Sequence, residues 1–334
     1  MNRNAFEAQT SRPDLQKLGG CVLRARRGDE SGRAQVLSAL TWVAFSCPEA
    51  TEKVYDAVAA TWLGKQEEVA ELPLFEEASL GPSFWAAYWQ VIDGAAQGYD
   101  AASITAAVAS LGAVLGPSFG EIAEQHARKH PGADSPHLKV TPGITDIYGL
   151  KHLPDDSLGK SLYDLLTING FDAEVLDRDT IMLAELPPAL RYLNTRILQM
   201  HDVWHLVAGY TTDAVHEVAI SAFQLAQFGH NYSAMFLAIA AHITHERSPR
   251  GFTILMQIMA DAWRHGRETP PLMAIEWESM MPLTIDQVRK THEITPFQSR
   301  VPSELVETFS GGSFWQKLKM GLTVMLLNQE IRQA

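Results

Sequence analysis

Residues 190–217 read LRYLNTRILQMHDVWHLVAGYTTDAVHE, and this stretch decides how we interpret the fold of the chain. In its first half apolar side chains recur at the spacing of one helix face, at Leu190, Leu193, Ile197 and Leu198. Gly209 then ends the predicted helix, and the polar residues 211–213 can cap the start of the next one. We therefore expect two consecutive helices joined by a short turn.

Four side chains in this stretch carry the polar chemistry. His201 and His205 are four positions apart, which places them one turn apart on a common helix face. Asp202 lies about 100° around the axis from His201 and about 60° from His205, so it shares their edge of the helix. Glu217 follows on the second predicted helix. If that helix folds back along the first, its carboxylate can face the two imidazoles.

Two neutral imidazoles with one or two carboxylates form a donor set that suits a divalent metal ion. Zinc takes such ligands in a tetrahedron, whereas two histidines and one carboxylate with open positions suit ferrous iron. An open position would let the ion polarise a bound oxygen or activate water. The spacing alone leaves a second interpretation open, because His and Asp near a helix end often cap carbonyls or pair with each other. The pattern is also shorter than the established zinc protease signatures.

Helical patterns continue through the rest of the chain. Between residues 33 and 63 the apolar positions of one helix face include Val36, Leu37, Leu40 and Val43. Ser46, with Glu49 three residues later, predicts a capping box that opens a further helix. No stretch offers consecutive alternating strands bounded by hairpin turns. We therefore predict an all-α protein, a multi-helix bundle with a metal site between its helices.

Helix breakers mark one candidate domain boundary. Residues 130–136, HPGADSP, form a polar stretch rich in turn residues, and a Thr-Pro-Gly turn follows at 141–143. We predict a helical N-terminal region of unknown role at 1–140, a metal-binding helical domain at 145–296, and a C-terminal tail at 297–334.

The tail is predicted to end in an amphipathic helix that starts near residue 313. Its apolar side chains share one side, and the positions are Phe314, Leu318, Leu322, Met325 and Leu326. Lys317 and Lys319 lie nearby. Such a face can lie on a membrane surface. Packing against the core of the protein or against a partner subunit is the more ordinary explanation.

Composition bounds the class of protein. The chain has 334 residues and a formal net charge of -12, from 27 Lys and Arg against 39 Asp and Glu. We expect no nucleic-acid partner, because such binding needs clustered cations that release counterions from phosphates. Cys21 and Cys47 are too few for a disulfide framework or a thiolate zinc cluster. Since the first residues resemble no targeting signal, we expect a bacterial cytoplasmic protein that can associate peripherally with the inner membrane.

The pattern H-D-x-x-H, followed by eleven residues and then E, resembles the hallmark of the Coq4 family of ubiquinone (coenzyme Q) biosynthesis proteins. Here it consists of His201, Asp202, His205 and Glu217, with no departure in spacing. Flanking blocks are similar to that family as well: LP at 153–154, LG at 158–159, then Tyr163, Leu166, Asn169 and Gly170, AWRHGR at 262–267, and WE at 277–278. The resemblance covers roughly residues 153–295.

Two features depart from the family pattern. Family members commonly carry two Arg residues just ahead of the His-Asp pair. Arg196 matches one of them, whereas Leu198 stands at the place of the other. Residues 1–140 do not align with the family core. The chain therefore resembles a divergent bacterial member with an added or altered N-terminal region.

The resemblance implies an all-helical protein that holds a divalent metal, zinc in preference to iron, through His201, Asp202, His205 and Glu217. It implies a metal-dependent decarboxylase or hydroxylase late in coenzyme Q biosynthesis, which oxidatively decarboxylates ring C1 of a polyprenylated hydroxybenzoate-type intermediate. The implied partners are this quinone precursor, the membrane surface and other quinone biosynthesis enzymes, and a homo-oligomer is left open. Two alternatives remain: a non-catalytic lipid-binding scaffold that organises those enzymes, and a metal-dependent enzyme acting on another lipid.

Two further histidine groups compete with this site. The first consists of His242, His245 and Glu246, which can form a second ligand set or simply a polar last turn of a helix. We favour the polar helix end, because no matching partner segment accompanies the group. The second consists of His126, His130 and His137. We expect these three side chains to be exposed, since they fall in the turn-rich boundary.

Two other groups have a structural and a functional interpretation. Arg264 and Arg267 suit the carbonyl end of a helix beside Gly266, or they bind a carboxylate or phosphate if they lie near the metal. The apolar residues after Glu217 can form core or line a groove for a prenyl tail, and we favour core for most of them. They are Phe223, Leu225, Phe228, Met235, Phe236, Leu237 and Ile239.

Overall fold

A computed structural model describes residues 1–65, 71–99, 101–131, 133, 135–170, 178 and 183–333. Within these residues the regular structure is helical, apart from one isolated antiparallel bridge between Ser157 and Thr284. The all-α prediction is therefore confirmed. The α-helices are α1 (Arg3–Gln9), α2 (Leu15–Arg26), α3 (Glu30–Phe45), α4 (Thr51–Trp62), α5 (Pro82–Gly94), α6 (Ala101–Leu115), α7 (Pro117–Lys129), α8 (Ile147–Leu150), α9 (Leu158–Asn169), α10 (Pro188–Ala208), α11 (Ala214–Phe228), α12 (Asn231–Arg247), α13 (Pro249–Glu268), α14 (Trp277–Met280), α15 (Ile285–His292), α16 (Leu305–Gly311) and α17 (Phe314–Gln333).

The helices share a hydrophobic core that runs through both predicted regions. The apolar face expected between residues 33 and 63 is buried, as its positions Val36, Leu37, Leu40 and Val43 show. Helix α3 packs against α2, and it also packs against α12 from the second half of the chain. The domain boundary near 140 stays a prediction, and residues 132 and 134 of the proposed boundary stretch lie outside the described residues.

The capping box expected at Ser46 was wrong. The Ser46 hydroxyl donates instead to the carbonyl of Ala78, at 2.6 Å. Residues Pro48–Ala50 form a short 3-10 helix, and α4 begins after it at Thr51. The hydroxyl is therefore used in a contact between distant parts of the chain and not at a helix start.

The expected exposure of the boundary histidines was also wrong for two of the three. His126 and His130 are buried, and His137 is half-buried. The end of α7 packs so closely on the turn after α11 that a Cβ atom at Gly229 would lie 2.6 Å from Nε2 of His126. Glu52 lies 2.8 Å from Nε2 of His130. Tertiary packing thus covers residues whose local sequence is polar and turn-rich.

Helix α10 is held at both ends by charged side chains from other segments. At its start, the carboxylate of Glu124 on α7 accepts the backbone N–H groups of Ala189 (3.1 Å) and Leu190 (3.0 Å). At its end, the guanidinium of Arg289 donates to the carbonyls of Leu206 and Val207, both at 2.9 Å. These contacts satisfy backbone groups that have no partner inside a helix, and their charges suit the helix dipole.

A tight turn folds α11 back against α10. Gly209 adopts a left-handed conformation with φ 78°, which ends α10 as its position in the sequence predicts. Asp213 caps α11 by accepting the backbone N–H of His216 at 3.1 Å. Helix α11 then crosses α13 closely, since a Cβ atom at Gly266 would lie 2.8 Å from the carbonyl oxygen of Phe223.

No single helix among the described residues is both long and apolar enough to cross a membrane. The segments 103–115 and 117–129, which are bent by 107° relative to each other, reach the required length and hydropathy only together.

Candidate metal centre

Three side chains from α10 and α11 converge on one point. The Nε2 atoms of His201 and His205 lie 3.0 Å apart. One carboxylate oxygen of Glu217 lies 3.3 Å from Nε2 of His201, and the other lies 3.3 Å from Nε2 of His205. Among the described residues, His201, His205 and Glu217 form the group of potential metal ligands in which every ligand atom lies within 4.8 Å of the others. Helix α11 therefore folds back along α10, and this brings Glu217 to the two imidazoles.

The spacing of these donor atoms fits a metal ion. Ligands about 2.0–2.1 Å from a tetrahedral zinc ion are separated by roughly 3.3 Å. Ligands at the same distance in an octahedron are separated by about 3.0 Å along an edge. The observed separations of 3.0–3.3 Å match the face of either polyhedron. The donor set can consequently hold a metal ion on one side.

The second ring nitrogen of each histidine is also engaged. Nδ1 of His205 donates to the carbonyl oxygen of Tyr210, at 3.3 Å. In the neutral ring Nε2 therefore carries the lone pair that a metal ion would take, and in the protonated ring Nε2 donates to Glu217. Nδ1 of His201 lies 2.8 Å from the side-chain amide of Gln224. An amide offers both a donor and an acceptor, so Gln224 serves whichever tautomer His201 adopts. Such outer contacts orient imidazole ligands.

Asp202, the fourth predicted ligand, takes a different position. It is buried, and its carboxylate lies outside the group formed by His201, His205 and Glu217. Burial raises the pKa of Asp202, and the two nearby histidines partly oppose this increase. The structure thus brings together three of the four predicted residues, and the role of Asp202 as a ligand stays a prediction.

Charge interactions in the group favour an ionised Glu217. Burial alone would raise the pKa of Glu217, but hydrogen bonds and charge interactions with His201 and His205 together lower the pKa well below its ordinary value. For His201 burial acts in the opposite direction, yet its hydrogen bond with Glu217 raises the pKa. The carboxylate therefore carries the negative charge that a cation needs.

Tyr210 connects the site to the segment after α15. The side chain of His265 donates from Nε2 to the carbonyl of Thr295 at 2.6 Å, so its Nδ1 accepts the Tyr210 hydroxyl at 2.7 Å. The Tyr210 ring stacks on Phe297 with centroids 4.5 Å apart. The backbone N–H of Phe297 in turn donates to the carbonyl of Ala208, at 2.8 Å. The turn that supplies a carbonyl to His205 is thereby fixed on two sides.

Sequence reasoning did not identify Gln224 and Tyr210 as parts of this site. For Gln224 a signal existed, because it lies seven residues after Glu217 and hence on the same face of α11. For Tyr210 the relevant atom is a backbone carbonyl oxygen. Because every residue has this group, the residue type gives no signal for its role.

Two of the flanking sequence blocks quoted above, LG at 158–159 and WE at 277–278, lie on segments that contact α10. Arg196 on α10 forms a two-pronged ion pair with Glu278 of the WE pair, with Nη2 and Oε2 2.9 Å apart. The guanidinium lowers the pKa of Glu278 through this hydrogen bond. The backbone N–H groups of Leu158 and Gly159 donate to the carbonyls of Leu283 (2.7 Å) and Met281 (2.9 Å). The WE pair therefore supports α10 directly, and the LG pair joins α9, which packs on α10, to the segment after the WE pair.

The competing polar groups have structural partners. Nδ1 of His242 lies 2.7 Å from the Tyr88 hydroxyl, and Nδ1 of His245 accepts Nε–H of Arg33 at 3.2 Å. Arg264 pairs with Asp261 and Arg267 with Asp56, so both guanidinium groups have carboxylate partners within the protein. The apolar residues after Glu217 are core, as expected: Phe223, Leu225, Phe228, Met235, Leu237 and Ile239 are buried, and Phe236 is partly buried against them.

Comparison with known proteins points to one family. A family model described as "Coenzyme Q (ubiquinone) biosynthesis protein Coq4" matches residues 103–298, which is more than half of the chain. Similar curated proteins include the mitochondrial ubiquinone biosynthesis protein COQ4 of Scheffersomyces stipitis, 24% identical over 46% of this chain and 46% of the relative. The mitochondrial COQ4 homolog of Drosophila melanogaster is 27% identical over 49% of this chain and 58% of the relative.

The chain thus spans about half the length of these relatives. Among solved structures, a protein of Nostoc punctiforme PCC 73102, described as a candidate ubiquinone biosynthesis protein, is similar with a TM-score of 0.49. It shares 23% sequence identity, over 64% of this chain and 97% of that one. The match of the family model over residues 103–298, which include the hallmark residues, decides the assignment. The chain belongs to the Coq4 family of coenzyme Q (ubiquinone) biosynthesis proteins.

Proposed function

We propose that this protein is a metal-dependent enzyme of ubiquinone biosynthesis that oxidatively decarboxylates ring C1 of a polyprenylated hydroxybenzoate-type intermediate at the membrane surface. The observation that carries the proposal is the triangle formed by the Nε2 atoms of His201 and His205 and the carboxylate of Glu217. His205 is buried, whereas His201 and Glu217 are partly exposed. A substrate can therefore approach the site from the solvent side.

Residues of the chain prepare the site for an anionic aromatic substrate. His201, His205 and Glu217 would hold a divalent ion, zinc in preference to iron, with Asp202 as the proposed fourth ligand. Such an ion supplies a Lewis acid for the phenolate or carboxylate oxygen of the substrate. Tyr210 and Gln224 keep the two imidazoles oriented through their Nδ1 atoms. The ordered helix ends of α10 keep both histidines in place while the substrate exchanges.

The proposed reaction breaks the bond between ring C1 and the carboxyl carbon and forms a bond between ring C1 and oxygen. Carbon dioxide leaves, and the ring carbon is oxidised by two electrons. We take dioxygen as the oxidant, with an external two-electron reductant and two protons converting its second oxygen atom to water. Each atom and electron is then accounted for.

The experiment is a quinone profile of a deletion strain complemented with variants. We expect the strain to accumulate a carboxylated quinone precursor, the wild-type gene to restore quinone, and His205→Ala to fail. His152→Ala, which changes an exposed histidine outside the group, serves as the matched control and should restore quinone. Normal quinone in the deletion strain would contradict the proposal and point to another lipid substrate.

A second measurement separates the enzyme from a scaffold. Purified, metal-loaded protein is incubated in micelles with the carboxylated precursor, dioxygen and a reductant. Release of carbon dioxide that His205→Ala abolishes is the expected result. If the protein binds prenyl lipid but shows no turnover, the result would contradict an enzymatic function and favour the lipid-binding scaffold.

A further inference from the structure

Helix α17 has an apolar face that the protein does not cover. Its inner side packs on α13 and contains the buried residues Leu327, Asn328 and Ile331. The apolar positions expected to share one side do so, but they point away from the core. Together with Trp315 they are between 46% and 74% exposed: Phe314, Trp315, Leu318, Leu322, Met325 and Leu326. Packing on the core of the protein is therefore not their role.

The exposed face extends onto the preceding helix. Val306 and Phe309 of α16, which packs against α17, are 45% and 44% exposed. Phe314 and Trp315 stand edge to face at the start of α17, with ring centroids 5.6 Å apart. Eight large apolar side chains thus form a neighbouring set, which is unusual for a surface that contacts water alone.

The charge of this segment differs from that of the whole chain. Between residues 308 and 329 the charged side chains are Lys317 and Lys319. The carboxylate of Glu307, just before them, accepts the backbone N–H of Ala214 at 3.0 Å. The complete chain carries a formal net charge of -12. The segment is therefore apolar and cationic although the whole protein is acidic. Such a segment is complementary to an interface in which anionic groups cover an apolar layer.

We propose that α16 and α17, a surface defined by residues 305–326, lie in the plane of a membrane interface that contains anionic lipids. Phe314 and Trp315 would enter the boundary between headgroups and acyl chains, as aromatic residues of interfacial helices do. Lys317 and Lys319 would contact the headgroups. A second copy of the chain fits less well, because residues 314–329 of α17 offer no carboxylate that could pair with Lys317 and Lys319 of the other copy.

This inference deepens the proposed function and rests on it in one respect. A polyprenylated substrate is located in the membrane, so an enzyme that acts on it must bind there. It concerns residues that lie outside the range matched by the family model and outside the metal centre. Its test needs neither metal nor substrate, so it can fail while the proposed function stands, and the reverse also holds.

The test is flotation of the full chain with vesicles of phosphatidylcholine alone and of phosphatidylcholine mixed with phosphatidylglycerol. We expect binding to the mixed vesicles that weakens at high salt. Trp315→Ser/Leu322→Ser should weaken it roughly 100-fold. Lys317→Gln/Lys319→Gln should weaken it roughly 30-fold on mixed vesicles and leave binding to neutral vesicles unchanged.

Matched controls change similar residues elsewhere on the surface. Leu74→Ser removes an apolar side chain that is 91% exposed, and Lys17→Gln/Lys151→Gln removes two exposed cations. Both should bind like the wild type. Wild-type levels of binding in the Trp315→Ser/Leu322→Ser variant, with helical content unchanged by circular dichroism, would overturn the proposal. Absence of vesicle binding together with a dimer that this variant converts to monomer would assign the face to a second copy.

Discussion

Two histidine pairs with the same i, i+4 spacing end in different environments. In α10 the Nε2 atoms of His201 and His205 lie 3.0 Å apart, and a carboxylate of α11 reaches both. At the end of α7 the rings of His126 and His130 are 5.7 Å apart between centroids. Glu52 lies 2.8 Å from His130, and the pair is buried. Spacing therefore places two imidazoles on one helix face, but it does not make their lone pairs converge.

The pair on α12 shows the same principle with a spacing of three residues. The rings of His242 and His245 are 6.5 Å apart, and their Nδ1 atoms contact Tyr88 and Arg33. Burial lowers the pKa of His242 to about 3, and it also lowers the pKa of His245. These imidazoles are neutral polar groups of the core. The pair on α10 differs in that Glu217 of a second helix contacts both Nε2 atoms and the group is partly exposed to solvent.

The strongest test of this comparison is metal content. His201→Ala/His205→Ala should weaken zinc or iron binding by at least about 1,000-fold, because two of the proposed ligands are removed. His126→Gln/His130→Gln should keep about one ion per chain, because these rings do not converge. Elemental mass spectrometry of each purified variant, with circular dichroism to verify the fold, decides between them. Equal loss of metal from both variants would remove the distinction between the two pairs.

A stability measurement makes the complementary test. His242→Ala should lower the free energy of unfolding by about 3 kcal/mol, because it leaves a cavity and removes the partner of the Tyr88 hydroxyl. Its metal content should not change. Urea denaturation followed by far-ultraviolet circular dichroism measures the first effect. A loss below about 1 kcal/mol would show that this buried pair contributes little to the fold.

Gln224 sharpens the comparison inside the metal centre. Gln224→Leu should weaken metal affinity by roughly 10- to 100-fold, because Nδ1 of His201 loses its orienting partner. Gln224→Glu keeps an acceptor for that nitrogen, and we expect it to restore most of the affinity. Competition titration with a chelating dye gives both values. If the Leu variant binds metal as tightly as the wild type, then His201 is oriented by packing alone.

The smallest effect is expected at Glu52. Its hydrogen bond with His130 is the main cause that lowers the pKa of Glu52, against the opposing effect of burial, and Arg267 adds to the decrease. Glu52→Gln should cost about 1.5 kcal/mol of stability near neutral pH. Since the folded-state pKa is depressed, this contribution is complete above the ordinary value of 4.5 and is lost as the pH falls through the lowered value.

Thermal melts of the wild type and of Glu52→Gln, recorded near pH 7 and again below the lowered pKa, measure this effect. The two melting temperatures should differ at the higher pH and approach each other at the lower pH. A difference that does not depend on pH would mean that the contact contributes through packing and not through charge.

Local signals predicted the elements that carry the metal centre. Gly209 and Asp213 delimit α10 and α11 as expected, because a left-handed glycine and an aspartate cap act within one turn of the chain. The sequence predicts that Glu217 meets the two histidines only if the second helix folds back along the first. This assumption was the only long-range step in the prediction of the site.

Predictions failed where a distant partner decides the outcome. The Ser46 hydroxyl binds the carbonyl of Ala78, 32 residues away, and this contact overrides the local capping pattern. His126 and His130 are covered by the turn at Gly229, which no local pattern near residue 130 reveals. The ring of Tyr210 likewise stacks on Phe297, a partner that lies far away along the chain. Patterns in a single sequence indicate which local structure a segment favours. They do not indicate which distant segment packs against it.

The anchoring of α10 by Glu124 and Arg289 bears on which ions the proposed metal centre would accept. A helix fixed at both ends holds the Nε2 atoms of His201 and His205 at a set separation, so the proposed site would select ions by their distance to the ligands. Zinc, with ligands about 2.0–2.1 Å away, suits this separation. Calcium, which needs oxygen ligands at about 2.3–2.6 Å, would have to push the helices apart. Uptake of an ion would then require no folding step, and one ion would exchange for another without refolding of the chain.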